Sequence, residues 1–174
     1  MNDLARKLCI VLSVVVMANS SSAQKYETSF HGENSFPNPI QIPVEVSKKL
    51  KNDWEAKGCS SSDGQFSNSR FEATKVNLNN DRLPDLLIKA KDPNHCLNGN
   101  AVSFWAFTRR GGTFTPVFYT YTLSLEVTEK RSKNYFELWT GRCTASICFN
   151  RLFAFDGQEY AQTREWEEPV RPGK

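Results

Sequence analysis

Side-chain oxygens fall at positions 1, 3, 5 and 9 of one short stretch, as Asn77, Asn79, Asp81 and Asp85. A tight loop with that spacing turns its oxygens to a common centre, where a hard cation such as calcium collects about six to eight of them. The Leu83 carbonyl would supply one more donor to the same centre. Two carboxylates bring little charge, so the affinity expected is that of weak extracellular sites, about 10⁻⁴ to 10⁻³ M. The same residues can also close a turn with no ion. Asp81 and Asp85 would then accept backbone N–H bonds, and Asn77 and Asn79 would form Asx turns. Pro84 would fix the exit, and Arg82 would pair with a carboxylate.

The elements flanking this stretch read as strands, Phe71 to Val76 before it and Asp85 to Ala90 after it. Upstream, Val44 to Lys57 reads as a helix, because Val46, Leu50 and Trp54 recur every fourth residue; Gly58 is its expected C-cap. Residues 24–43 carry Pro37, Pro39 and Pro43 and are expected to form an extended, loosely held arm. Downstream the chain reads as strands throughout. Ala101 to Thr108 and Thr113 to Tyr119 flank Arg110-Gly111-Gly112, a hairpin signal. Tyr121 to Thr128 alternates, with Tyr121, Leu123, Leu125 and Val127 on one face, and is expected to pair with Tyr135 to Thr140 across the charged tip Glu129 to Lys133. Cys148 to Phe155 and Glu159 to Arg164 form a last hairpin about Asp156-Gly157, and residues 165–174 are expected to fray. The expected fold is mainly β: about eight short antiparallel strands with one N-terminal helix, as a single domain over 44–164.

The stretch Asn77 to Asp85 resembles the Asp-x-Asn-x-Asp-Gly-x-x-Asp calcium loop of FG-GAP-type repeats, found in integrin α-subunit propellers and in secreted bacterial proteins. It departs from that pattern in having Asn77 at the first carboxylate and Arg82 at the glycine. About eight strands make two blades, whereas a closed propeller needs about four or more. The resemblance therefore implies one strand–loop–strand unit and not a complete propeller. The wider order of helix, Gly-Cys, Asp-rich turn and aromatic hairpins is similar to small secreted bacterial proteins.

Residues 1–23 read as an export signal. Arg6 and Lys7 precede an apolar core from Leu8 to Ala18, about 11 residues against the ~20 of a membrane span, and Ser21 and Ala23 suit cleavage after Ala23. The expected location is the periplasm or the cell exterior, with no membrane attachment after cleavage. The formal charge of +3 falls by one with the leader, too little to call for nucleic acid. Export makes the four remaining cysteines a disulfide framework, with Cys59–Cys96 and Cys143–Cys148 the local pairing of three possible. Loop entropy would stabilise by about 3.8 and about 2.2 kcal/mol respectively.

No nucleophile elbow, phosphate loop or HExxH appears, and His31 and His95 both fall in loop-like sequence. Glu126, Glu137 and Glu159 sit on ordinary strands, with nothing to mark a glycosidase pair. In Phe104-Trp105-Ala106-Phe107 alternation sends Trp105 and Phe107 to one face and Phe104 to the other. Such a strand is either covered on both faces or presents a binding surface, for which Trp105, Phe107 and Trp139 are the candidates. The expectation is a secreted or periplasmic, non-catalytic binding module for a protein or glycan, needing no cofactor beyond a calcium ion that the turn would hold. The alternatives are a small secreted inhibitor of an enzyme such as a lysozyme, acting through Cys143 to Cys148 (CTASIC), and a carbohydrate-active enzyme.

Overall fold

The computed structural model describes residues 26–57, 65–81, 83–91 and 101–170. The leader, Gly58, the Cys59–Cys96 pairing, Arg82 and His95 lie outside the described residues. Helix α1 (Val44–Ala56) begins directly after Pro43, whose ring holds φ at −59°. Its four-residue apolar repeat becomes a buried stripe of Val46, Leu50 and Trp54.

Nine strands follow the chain: β1 (Ser29–His31), β2 (Phe71–Val76), β3 (Asp85–Ala90), β4 (Val102–Arg110), β5 (Thr113–Thr122), β6 (Ser124–Ser132), β7 (Tyr135–Cys143), β8 (Ile147–Phe155) and β9 (Tyr160–Pro169). They form two antiparallel sheets, a four-stranded one in the order β2-β3-β4-β5 and a five-stranded one in the order β1-β6-β7-β8-β9. The β4–β5 turn uses Gly111 and Gly112 at positive φ, and the β6–β7 turn uses Lys133 and Asn134 likewise. Cys143 and Cys148 face each other across β7 and β8 and are bridged.

The four-stranded sheet is the middle layer. One face carries Ala73, Leu86, Ile88, Trp105 and Phe107 against the stripe of α1. The other carries Leu87, Phe104, Ala106 and Phe118 against Leu125, Leu138, Phe153 and Tyr160 of the five-stranded sheet. With cover on both sides, every residue of β3 is buried, Asp85 and Lys89 included.

Three expectations are corrected. The strand drawn from Tyr121 to Thr128 breaks at Leu123, where the chain leaves one sheet for the other, so Leu125 and Val127 are buried while Tyr121 and Leu123 are only partly covered. Residues 165–169 do not fray: β9 runs to Pro169, because β8 offers a partner along its whole length. The N-terminal arm is not loose. Its residues Ser29–His31 pair with Glu126 to Ser124, Phe30 and Phe36 enter the core between the sheets, and Ile40 N–H donates to the Ala73 carbonyl at 2.8 Å.

Lys89 holds that arm. Its ammonium donates to the carbonyls of Gly32 (2.9 Å) and Asn34, and Glu72 Oε2 lies 3.8 Å away. Glu72 also accepts from the Phe36 N–H at 3.1 Å. Burial lowers the Lys89 pKa and Glu72 opposes that shift. Lys89→Ala would leave buried carbonyls and a carboxylate without their cation. The expected loss is about 3 kcal/mol in urea unfolding, with faster proteolysis ahead of Pro43. An unchanged midpoint with a protected arm would show that strand pairing and aromatic contacts hold the arm without Lys89.

Candidate functional site

The Asp-rich turn connects β2 to β3, and its oxygens are turned onto its own amides. Asn77 Oδ1 accepts from the Asn80 N–H at 2.7 Å, Asn79 Oδ1 from Asp81 at 3.1 Å, and Asp81 Oδ1 from Leu83 at 2.8 Å. Asn80 takes the left-handed conformation at φ 59°, which asparagine tolerates. Asp85 is buried below. Its Oδ2 accepts from the Leu78 N–H at 2.8 Å, and its Oδ1 from Thr108 Oγ1 at 2.8 Å and the Arg109 N–H at 3.1 Å. Asp81 thus closes the turn on itself and Asp85 ties it to β4 through the Thr108 hydroxyl and the Arg109 N–H, while the Leu83 side chain points to solvent. No cluster of three or more His, Cys, Asp or Glu suited to a metal occurs among the described residues.

Burial raises the Asp85 pKa above its ordinary 3.8, against the pull of its three hydrogen bonds. The folded state therefore takes up this proton at higher pH than the unfolded chain does. The contribution of Asp85 to stability is greatest below its ordinary value and declines as pH rises through the raised one.

Of the three aromatic candidates, two belong to the interior. Trp105 is 1% exposed and Phe107 0%, because β4 is an inner strand of the middle sheet and α1 lies over that face. The Trp105 indole N–H donates to Asp53 Oδ2 of the helix at 2.6 Å. They form no binding surface. Trp139 differs: its neighbour Leu138 points into the core, so Trp139 stands on the outer face of the five-stranded sheet.

On that outer face one register row crosses four strands as His31, Ser124, Gly141 and Asn150. Ser124 and Gly141 are small residues, and all four line a trough. The Trp139 indole approaches Gly141 so closely that a Cβ there would meet Cζ2 at 2.7 Å. The resulting open groove has a volume of about 870 Å³, within the range of ligand sites. Its floor is Trp139, Gly141 and Asn150, and its rim includes His31, Arg142 and Glu168. Asn150 is only 5% exposed, yet no hydrogen bond to its side chain occurs among the described residues. Ser124 Oγ, directly opposite His31, donates to the Gly141 carbonyl at 3.0 Å.

No family model matches the chain, and neither the curated proteins nor the solved structures contain a significant match. The groove has to be interpreted from its own chemistry. Sequence reasoning reached Trp139 but missed Gly141 and Asn150, which become neighbours only through strand register.

Two outcomes are expected for the turn. Asp81→Ala should lower the thermal midpoint equally in excess EDTA and in about 5–10 mM calcium; a calcium-dependent gain that the variant loses would mean the turn binds the ion. Asp85→Asn should remove a pH dependence, so that wild-type stability relative to the variant falls as pH rises from about 3 towards neutrality. A constant difference across that range would mean Asp85 is not shifted.

Proposed function

We propose that the protein is an exported, non-catalytic binding module whose contact surface is the groove over Gly141. The observation carrying this reading is the Trp139 indole packed against Gly141 in an open groove, on the face of the five-stranded sheet opposite the core. A fixed aromatic plate beside an unpartnered amide is the composition of a recognition site: apolar area with a few polar groups that set orientation. The Cys143–Cys148 bridge at the edge of the groove supports an oxidising, exported setting.

The arrangement favours binding over catalysis. The Ser124 hydroxyl engages the Gly141 carbonyl and not the His31 imidazole, so this neighbouring pair lacks the nucleophile–base bond. Glu137 pairs with Lys130 at 3.4 Å, and Glu126 is exposed on β6. The turn Asn77–Asp85, similar to an FG-GAP loop, serves in this reading as a structural clamp between β2, β3 and β4.

A second reading, an enzyme inhibitor, draws on the CTASIC tip. Thr144 Oγ1 accepts from the Ile147 N–H at 3.1 Å, the Val170 N–H donates to the Ser146 carbonyl at 2.8 Å, and Ile147 is exposed. Such a pre-ordered tip suits insertion into a cleft. Loss of lysozyme turnover at equimolar protein, relieved by Ile147→Asp, would favour it.

The test is ¹H–¹⁵N spectroscopy during titration with a mixed set of small glycans and short peptides. Shifts should concentrate at the Trp139 indole N–H, Gly141 and Asn150, with every probe recovered intact. Shifts confined to residues 144–147, or turnover of a probe, would contradict the reading.

A further inference from the structure

We infer that the groove takes a neutral oligosaccharide, with one sugar ring stacked on Trp139 and its hydroxyls bound by the side-chain amide of Asn150. This rests on the binding-module reading above and names the class of ligand. Three observations lead to it.

The first is the plate. The Trp139 indole packs close to Gly141, with Cη2 and Cζ2 occupying the space a Cβ there would need, and it lines the groove. A pyranose offers a flat patch of C–H groups on one face and hydroxyls around its edge, and an aromatic plate fits the former. The second is Asn150. An amide carries donors and an acceptor together, which suits a pair of adjacent hydroxyls that each donate and accept. Asn150 is more than nine-tenths buried, it lines the groove, and its side chain has no partner among the described residues. An amide held in place by a buried residue and left open to the groove is available to a ligand hydroxyl.

The third is charge. Among the described residues the groove is lined by Lys91 and Arg142 and by Glu33 and Glu168, two cations and two anions. Arg142 is also stacked on Phe149 at 5.2 Å. A polyanionic ligand would call for a surplus of cations, and the balance suits an uncharged one. A peptide is the less favoured occupant. Peptides commonly dock by adding a strand to a sheet edge, and this groove lies on a sheet face where the backbone ladder is already used.

The experiment is calorimetric titration of the mature protein with neutral hexasaccharides of glucose, N-acetylglucosamine, xylose and mannose. Hexagalacturonate and a mixed pool of short peptides serve as comparators. At least one neutral hexasaccharide should bind, and binding should shift the Trp139 and Gly141 resonances. Trp139→Ala should weaken it about tenfold or more, and Asn150→Leu about fivefold to tenfold. Gly141→Ala retains the indole but pushes it off its seat, and should weaken binding as well. Asn150→Asp removes the donors while keeping an acceptor and the side-chain size. It guards against a folding defect in the leucine variant, and it should also lose affinity at an unchanged thermal midpoint. Hexagalacturonate or a peptide binding in the groove in place of the neutral sugars would overturn this inference and leave the binding-module reading intact. If no probe shifts the groove resonances, both fail. Sugar binding that survives all four substitutions would likewise overturn the assignment to this groove.

Discussion

Strand β3 carries six consecutive buried residues because α1 covers one face of its sheet and the five-stranded sheet covers the other. A doubly covered strand must satisfy every polar group it carries inside the protein, since desolvated groups left unpaired are costly. Asp85 and Lys89 are the two charged residues on β3, and each recruits a piece of chain to meet that demand. Asp85 draws the Asn77–Asp85 turn down through the Leu78 N–H and ties it to Thr108 and Arg109. Lys89 draws the N-terminal arm across the sheets through the carbonyls of Gly32 and Asn34. A turn and an arm are thereby each tied to a buried charge on β3.

The same double cover determines where a ligand can be met. Trp105 and Phe107 are large and aromatic but are used in packing α1 onto the middle sheet. The outer face of the five-stranded sheet is where Trp139 stands over Gly141. Pinning of the arm contributes to this face as well. β1 is the edge strand that brings His31 to the groove, and Gly32, whose carbonyl Lys89 holds, donates to the Leu123 carbonyl at 2.7 Å. The chain of dependence runs from a buried lysine, through a three-residue strand, to one wall of the groove.

Much of the fold was legible because it is written in local periodicity. Val46, Leu50 and Trp54 announced their helix, and the apolar run after Pro84 announced β3 with its ends in place. What escaped was non-local. Alternation in Phe104-Trp105-Ala106-Phe107 separates two faces but does not say that a helix covers one of them. The prolines of the arm rule out a helix and carry no information about a lysine dozens of residues away. β9 has no apolar alternation, since nearly all of Ala161 to Glu168 is exposed, and its strand character comes from the partner alone. Gly141 and Asn150 look unremarkable in the sequence; their meaning comes from lying opposite each other on β7 and β8.

The three-layer arrangement requires Trp139 to face solvent while Trp105 is sealed beneath α1. The direct measurement is ¹⁹F relaxation of the four tryptophans, labelled with 5-fluorotryptophan, in the presence of a soluble gadolinium chelate. The account predicts strong relaxation enhancement at Trp139 and Trp166 and little at Trp54 and Trp105. Enhancement at Trp105 equal to that at Trp139 would mean that the middle sheet has an open face, and the three-layer arrangement would be contradicted.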